Sequence, residues 1–273
     1  MLSIIGLCVA LFVGEARVST TAELRKALSA PQPPQRIVLT GARYDGFSHA
    51  GVGGAPSRPV TIASADPSAP AVFTGGVQLS DVAHLVLEDL VIEGAASNGL
   101  NIDDGGAFDT PSEHLVLRRV TVRDCGGAGN HDGIKLSGVR EFRLEECVVE
   151  RWGRGGSAVD MVGCSGGVLS GCVFRDSQRN PASNAVQSKG GSHSIRIEAC
   201  RFEHAGQRAV NLGGSTGLAY FRPSPAGFEA RDISVEGCTF IGSMAPIAFV
   251  GVDGASVRFN TIYRPQRWVA RIL

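Results

Sequence analysis

The chain carries no surplus of either charge: 26 basic side chains stand against 26 acidic ones in 273 residues. A nucleic-acid binder normally shows a basic surplus, so the balance speaks against that class of partner. Aromatic residues are scarce at 6%. A helical bundle would use more Leu, Lys and Glu than this chain offers. Long apolar runs are missing as well. The stretch Leu2 to Val13 is too short to span a membrane comfortably, so no stable membrane span is expected. What is abundant is glycine, at 36 residues, and a Gly-rich, Val-rich, aromatic-poor chain suits many tight turns around a thin core.

The opening run is followed by Gly14-Glu15-Ala16, with small residues where a secretory signal needs them. Residues 1–16 are therefore read as a signal peptide, residues 17–273 as a single domain, and the protein as secreted or periplasmic. No Lys or Arg precedes the run, and an apolar cap strand or a misplaced start is the other reading. Cys8 follows Leu7 rather than a small residue, which speaks against a lipoprotein anchor.

A repeat runs the length of the chain. Segments beginning at Leu85, Leu115, Phe142, Gly167, Ile195, Ile233 and Ala255 share one pattern, apolar-x-apolar-x-x-(Cys or apolar)-x-apolar. The alternation marks strands and the two extra residues mark a corner. One column through them reads Leu90, Val120, Cys147, Cys172, Cys200, Cys238 and Asn260, with gaps of 30, 27, 25, 28, 38 and 22 residues. One coil of a parallel β-helix takes about 20 to 30 residues. No segment carries a helical pattern, so a βαβ solenoid is excluded. Equivalent residues then stack in ladders about 4.8 Å apart. Four of the seven cysteines fall in one inward ladder. Parallel Cβ directions meet disulfide geometry poorly, so these thiols are expected to be core filler.

A second set of segments supplies two more inward ladders. Leu100, Ile134, Val159, Val186, Val210 and Ile247 form the first; Ile102, Leu136, Met161, Ser188, Leu212 and Phe249 form the next. At the start, Thr20 to Ala30 predicts a helix with a Thr20/Glu23 capping box and a stop at Pro31, followed by a first strand at Arg36 to Leu39. Such a helix caps the first coil. The far end stops in WVARIL without a cap, which suggests a truncated chain or a partner covering that end. The fold class is thus all-β, a right-handed parallel β-helix with an N-terminal capping helix.

The outward columns carry the chemistry. They collect Asn98, Asn101 and Asp103, then Asp132 and Lys135, then Asp160, then Asn184, Gln187 and Lys189, then Arg208 and Asn211. These groups are short, polar and mixed in charge, where a merely solvated face would more often carry long Glu, Lys and Thr. Rigid strands place such groups well for catalysis or anion binding. The long stretch Gly213 to Ala230, with Tyr220 and Arg222, suits a cleft wall whose aromatics stack on sugar rings, or a loop packed back on the helix surface. His131 is read as a turn residue.

At these residues the chain resembles the right-handed β-helix polysaccharide lyases, especially the chondroitinase B and alginate lyase family. That family carries a Glu-x-Ile-x-x-Lys segment and an Arg one coil later. The matching residues here are Asn184-Ala185-Val186-Gln187-Ser188-Lys189, and then Arg208. The resemblance implies that Lys189 is the Brønsted base and that Arg208 stands near the leaving glycosidic oxygen. It implies β-elimination on an acidic, uronate-containing polysaccharide, with Asn184, Gln187, Asn211, Tyr220, Arg222 and Lys135 binding substrate. Where the family has a calcium-binding Glu, this chain has Asn184, and Asp132 and Asp160 are the candidates to hold calcium instead. The paired-Asp and Gly-His-Gly set of polygalacturonases and the Asp-Pro-His of alginate epimerases are absent. Two other readings stay open. One is a non-catalytic carbohydrate-binding or surface β-helix protein. The other is a glycoside hydrolase using Asp132 and Asp160 as its carboxylate pair. A monomer is expected.

Overall fold

The computed structural model of the chain describes residues 14–176, 181–222, 224 and 227–273. The run Leu2 to Val13, with Cys8, lies outside them, and so does Pro223. The architecture is a right-handed parallel β-helix with three strand faces. Its first face is a ten-stranded parallel sheet that begins with Glu15–Val18 and Arg36–Leu39 and ends with Val252–Arg258. Leu90–Glu93, Thr121–Arg123, Val148–Glu150 and their successors make the second face. The third runs through Leu100–Asp103, Ile134–Ser137, Ser157–Val162, Asn184–Lys189, Arg208–Gly213 and Ala245–Val250 to Ala270–Ile272. The second and third faces join at Ala71–Ser80, whose first half pairs with Leu90–Glu93 and whose second half pairs with Leu100–Asp103. That strand bends at Gly75, where φ is 109°.

The sequence repeat is one corner of this coil. First and second faces meet at Asp89, Arg119, Glu146 and Ala199, all with φ between 52° and 56°, and at Gly171 and Gly237 on the coils between and beyond them. Each coil thus needs one left-handed residue at the same place, which breaks the alternation once per repeat. The inward ladders have the expected register, with Val159 opposite Ile134 and Val186, and Met161 opposite Leu136 and Ser188. The apolar slot at Gly167 is filled from below, because the Phe142 ring occupies the space a Cβ there would need. Phe174, Phe202 and Phe240 stack with centroids 4.9 and 4.6 Å apart along the core.

The four column cysteines are buried and unpaired by disulfides. Each thiol points at a carbonyl of the coil before it: Cys147 Sγ lies 3.3 Å from Leu117 O and Cys172 Sγ 3.4 Å from Leu144 O. Asn260 ends the column in the same way, donating to Val235 O at 2.9 Å and accepting the Cys238 N–H at 2.8 Å. The ladder is therefore a row of small donors rather than apolar filler alone. A serine there inherits a partner. Cys172→Ser should cost less than about 1 kcal/mol in urea unfolding, not the roughly 1–3 kcal/mol of an unpartnered buried hydroxyl.

The helix spans Thr21–Leu28 and buries Leu24 and Leu28 against the first coil. Thr20 accepts the Glu23 N–H, but Glu23 reaches back to Ser19 N–H and Oγ–H rather than to Thr20. The strand Glu15–Val18 precedes the helix and pairs with Arg36–Leu39, so the boundary read at Ala16 falls inside the first strand. At the opposite end Phe259 and Ile272 are exposed. Among the described residues no helix is long and apolar enough to cross a membrane.

Candidate functional site

The third face presents one continuous outward ladder. Gln78, Asn101, Lys135, Asp160, Gln187 and Asn211 sit opposite one another on successive coils. Strand alternation sends all six away from the core. Lys189 lies two residues past Gln187 on the same strand, and Arg208 sits opposite Asn184. The loop after Gly213 folds over this face and turns the ladder into the floor of a cleft.

The cleft has two connected hollows. One, of about 620 Å³, is bounded by Asn101, Asn130, Lys135, Lys189 and Tyr220. The other, of about 220 Å³, is bounded by Asn130, Asn184, Lys189, Arg208 and Asn211. Lys189 and Asn130 belong to both. Tyr220 ends a short 3-10 turn, Leu218–Tyr220, and stands 63% exposed over the larger hollow.

Charges alternate across the floor. Lys135 Nζ stands 2.7 Å from Asp160 Oδ2 and 3.2 Å from Asp132 Oδ2. Lys189 Nζ forms a further ion pair with Asp160 Oδ1 at 3.1 Å and donates to Gln187 Oε1 at 3.4 Å. Burial opposes the charge of Lys135, yet Asp160 and Asp132 together outweigh it and raise its pKa. Burial, and then the charge of Asp160, raise the pKa of Asp132; Lys135 and the Ser157 N–H oppose this.

That ladder decides the fate of the two acidic candidates. The place where Asp132 and Asp160 would share a calcium ion is filled by the Lys135 ammonium, and Asp132 Oδ1 is taken by the Ser157 N–H at 2.8 Å. A hard dication needs several free oxygens, so these residues do not fit calcium. As a hydrolase pair they would have to act from inside an ion-pair network, since Lys135 bridges both carboxylates and Lys189 also holds Asp160.

Arg208 is different. Many arginines on the outer faces are paired, such as Arg119 with Asp89, Arg123 with Glu93, Arg151 with Asp124 and Arg175 with Glu203. Arg58 and Arg154 have no such partner among the described residues, but they are exposed, whereas Arg208 is half-buried in the cleft. Among the described residues Arg208 has no carboxylate partner. Burial, and then Arg271, lower its pKa, but a guanidinium stays charged at any working pH. Beside it, Asn184 and Asn211 are buried, donate through Nδ2, and leave their Oδ1 atoms unpaired. Asn101 Oδ1, in the larger hollow, is also buried without a partner. Buried polar atoms are normally satisfied, so unpaired atoms gathered along one cleft mark a place prepared for a polar guest.

Lys189 and Arg208 thus line one hollow, although no hydrogen bond joins them and Lys189 leans toward Asp160. Asn184, Gln187, Asn211 and Tyr220 join them there or at the rim. Arg222 does not offer itself to a ligand. Its guanidinium grips Asp104 through Nε and Nη2, lies 3.9 Å from the Phe108 ring centroid, and is spent holding the loop shut. Glu229 anchors the same loop by accepting from Thr216 N–H, Thr216 Oγ1–H and Gly190 N–H. Neither anchor is legible from local pattern, since Asp104 and Arg222 are 118 residues apart. Asn130 was missed because it sits in a Gly-rich turn outside the strand pattern.

Residues 107–220 match a family model described as a right handed beta helix region. No curated protein sequence matches the chain. Among solved structures, an alginate lyase from Paenibacillus sp. str. FPU-7 superposes with a TM-score of 0.66 at 18% identity, over 94% of this chain and 97% of that one. A pectate lyase from Bacillus sp. N165, in complex with trigalacturonate, gives 0.59 at 12% identity, over 94% and 81%. PfbA, a surface adhesin of Streptococcus pneumoniae, gives 0.55 at 10% identity, over 86% and 69%. At such identities the likeness is one of fold.

Proposed function

We propose that the protein is an exported polysaccharide lyase that cleaves a uronate-containing polymer by β-elimination in this cleft. The observation that carries the reading is the unpaired Arg208 guanidinium in a polar hollow otherwise balanced in charge. In the smaller hollow Asp132 and Lys189 balance each other, and Arg208 leaves one positive charge there for an anionic sugar. The alginate and pectate lyases of the same fold support the reaction class.

The chemistry requires three tasks. The proton at C5 of a uronate is weakly acidic until the adjacent carboxylate is neutralised. Arg208 does this with its planar donors, and the amides of Asn184 and Asn211 orient the sugar beside it. Lys189 is the group that takes the C5 proton. The electron pair forms the C4–C5 double bond, the C4–O bond breaks, and the leaving oxygen takes a proton from water, whose hydroxide is neutralised when the Lys189 ammonium gives up the C5 proton to solvent. Lys135, held as an ammonium between two carboxylates, serves as a fixed positive charge. Tyr220 offers its ring to a neighbouring sugar. No step is assigned to calcium.

A second reading rests on the Lys189–Asp160 ion pair, which engages the base in the resting protein. In it the cleft binds acidic glycans without turnover. Calorimetric titration with a short oligouronate tests the charge recognition common to both readings. Arg208→Gln should weaken binding roughly tenfold or more, as loss of a charge-assisted contact does, and should not weaken binding of the carboxyl-reduced, neutral oligosaccharide. Equal loss for both sugars would remove Arg208 from anion recognition.

A further inference from the structure

We propose that His84, His114 and Glu113, on the first face and away from the cleft, form a binding site for a divalent transition-metal cation of the zinc class. His84 and His114 sit at equivalent places on successive coils, between the pairs Ala83–Glu113 and Leu85–Leu115. Their imidazoles are stacked with centroids 4.3 Å apart and planes 10° from parallel, so binding one ion requires at least one ring to turn about its side-chain torsions until the two in-plane lone pairs converge. One ligand atom from each of the three residues lies within 4.8 Å of the others.

The corner backbone places the rings. His84 has φ 50° and His114 φ 54°, and the same turn recurs at Glu141, Ser194 and Asp232 on later coils. The left-handed conformation is therefore a demand of the coil and not itself a sign of function. What is particular to this corner is its side chains. Among the described residues neither imidazole makes a hydrogen bond, so its ring nitrogens are free for a ligand. Glu113 Oε2 accepts from Arg140, which fixes the carboxylate and leaves Oε1 open. His114 is exposed and gives a cation a way in.

Two imidazoles and one carboxylate with an open fourth position are a donor set that suits zinc, and they suit calcium badly because nitrogen is a soft ligand for it. An ion here would tie two coils together through residues 30 apart in sequence. Arg140 acts as the outer partner that orients the carboxylate. None of the three residues lines the cleft, so this site stands or falls independently of the lyase reading.

The test uses the full, tag-free chain, stripped with chelator and titrated with zinc chloride by calorimetry, with cobalt(II) absorption as a spectroscopic probe. The expected result is one saturable site per chain and a higher melting temperature with zinc. His84→Ala, His114→Ala and Glu113→Gln should each weaken binding roughly tenfold or more, while His193→Ala should bind as the wild type does. Metal-free melting curves establish that each variant is folded, and the exposed His114 serves if His84→Ala is not. Absence of saturable binding, unchanged affinity in folded His114→Ala and Glu113→Gln, or an equal loss in His193→Ala would overturn the proposal.

Discussion

Lys189→Ala should lower the rate of unsaturated-product formation by roughly 10²–10⁴-fold, the range expected for loss of a general base. The structure changes what must be controlled. Lys189 is not a bystander on an outward strand, because it shares the buried Asp160 with Lys135. Removing it leaves Asp160 with one ammonium, so some loss of stability accompanies the loss of activity. Lys189→Arg separates the two effects. It keeps a positive charge beside Asp160 but puts a guanidinium, which does not give up its proton, where the base must act. The expected result is a chain that melts close to the wild type and turns over substrate as poorly as Lys189→Ala. An Arg variant with wild-type turnover would move the base elsewhere.

Arg222→Ala should destabilise the protein by about 3–5 kcal/mol, the usual cost of removing one partner from a buried ion pair. Asp104 is 1% exposed and Arg222 10% exposed in their side chains, so the carboxylate left behind has little water to turn to. Arg222→Ala together with Asp104→Asn should recover part of the loss, because no buried charge is then stranded. The same change should free the loop that carries Tyr220. Limited proteolysis within residues 214–222 should accelerate in Arg222→Ala, and KM should rise more than kcat falls. Unaltered proteolysis and an unaltered melting temperature would show that the clasp does not hold the loop.

The fold was legible because a β-helix writes its period into the chain. The apolar-x-apolar segments, the corner break and the Cys column each recur once per coil, so seven imperfect copies correct one another. The strand Arg36–Leu39 and the helix burying Leu24 and Leu28 were readable for local reasons, alternation in one and a cap with a 3.6-residue period in the other. Outward polar columns were readable for the same reason as inward ones, which is how Lys189, Arg208, Asn184 and Asn211 were found together. Pairing between columns was not readable. Period shows that Lys135 and Asp160 are neighbours, but not that the ammonium stands between the carboxylates of Asp132 and Asp160. Nor could it show Arg222 spent on Asp104, because that contact comes from a loop whose path obeys no repeat. Residues that bridge a loop and a strand across a hundred positions leave no local signal. Those that stack coil on coil leave one every time.

The central claim is that this cleft breaks uronate polymers by elimination. The direct measurement is incubation of the purified chain with alginates, pectates and glycosaminoglycans, followed by the ultraviolet absorbance of the unsaturated uronate end. The account predicts a rise with at least one acidic polymer, carried on through excess chelator and lost in Lys189→Arg. Cleavage that releases reducing ends with no such absorbance, or absorbance that persists in Lys189→Arg, would contradict it.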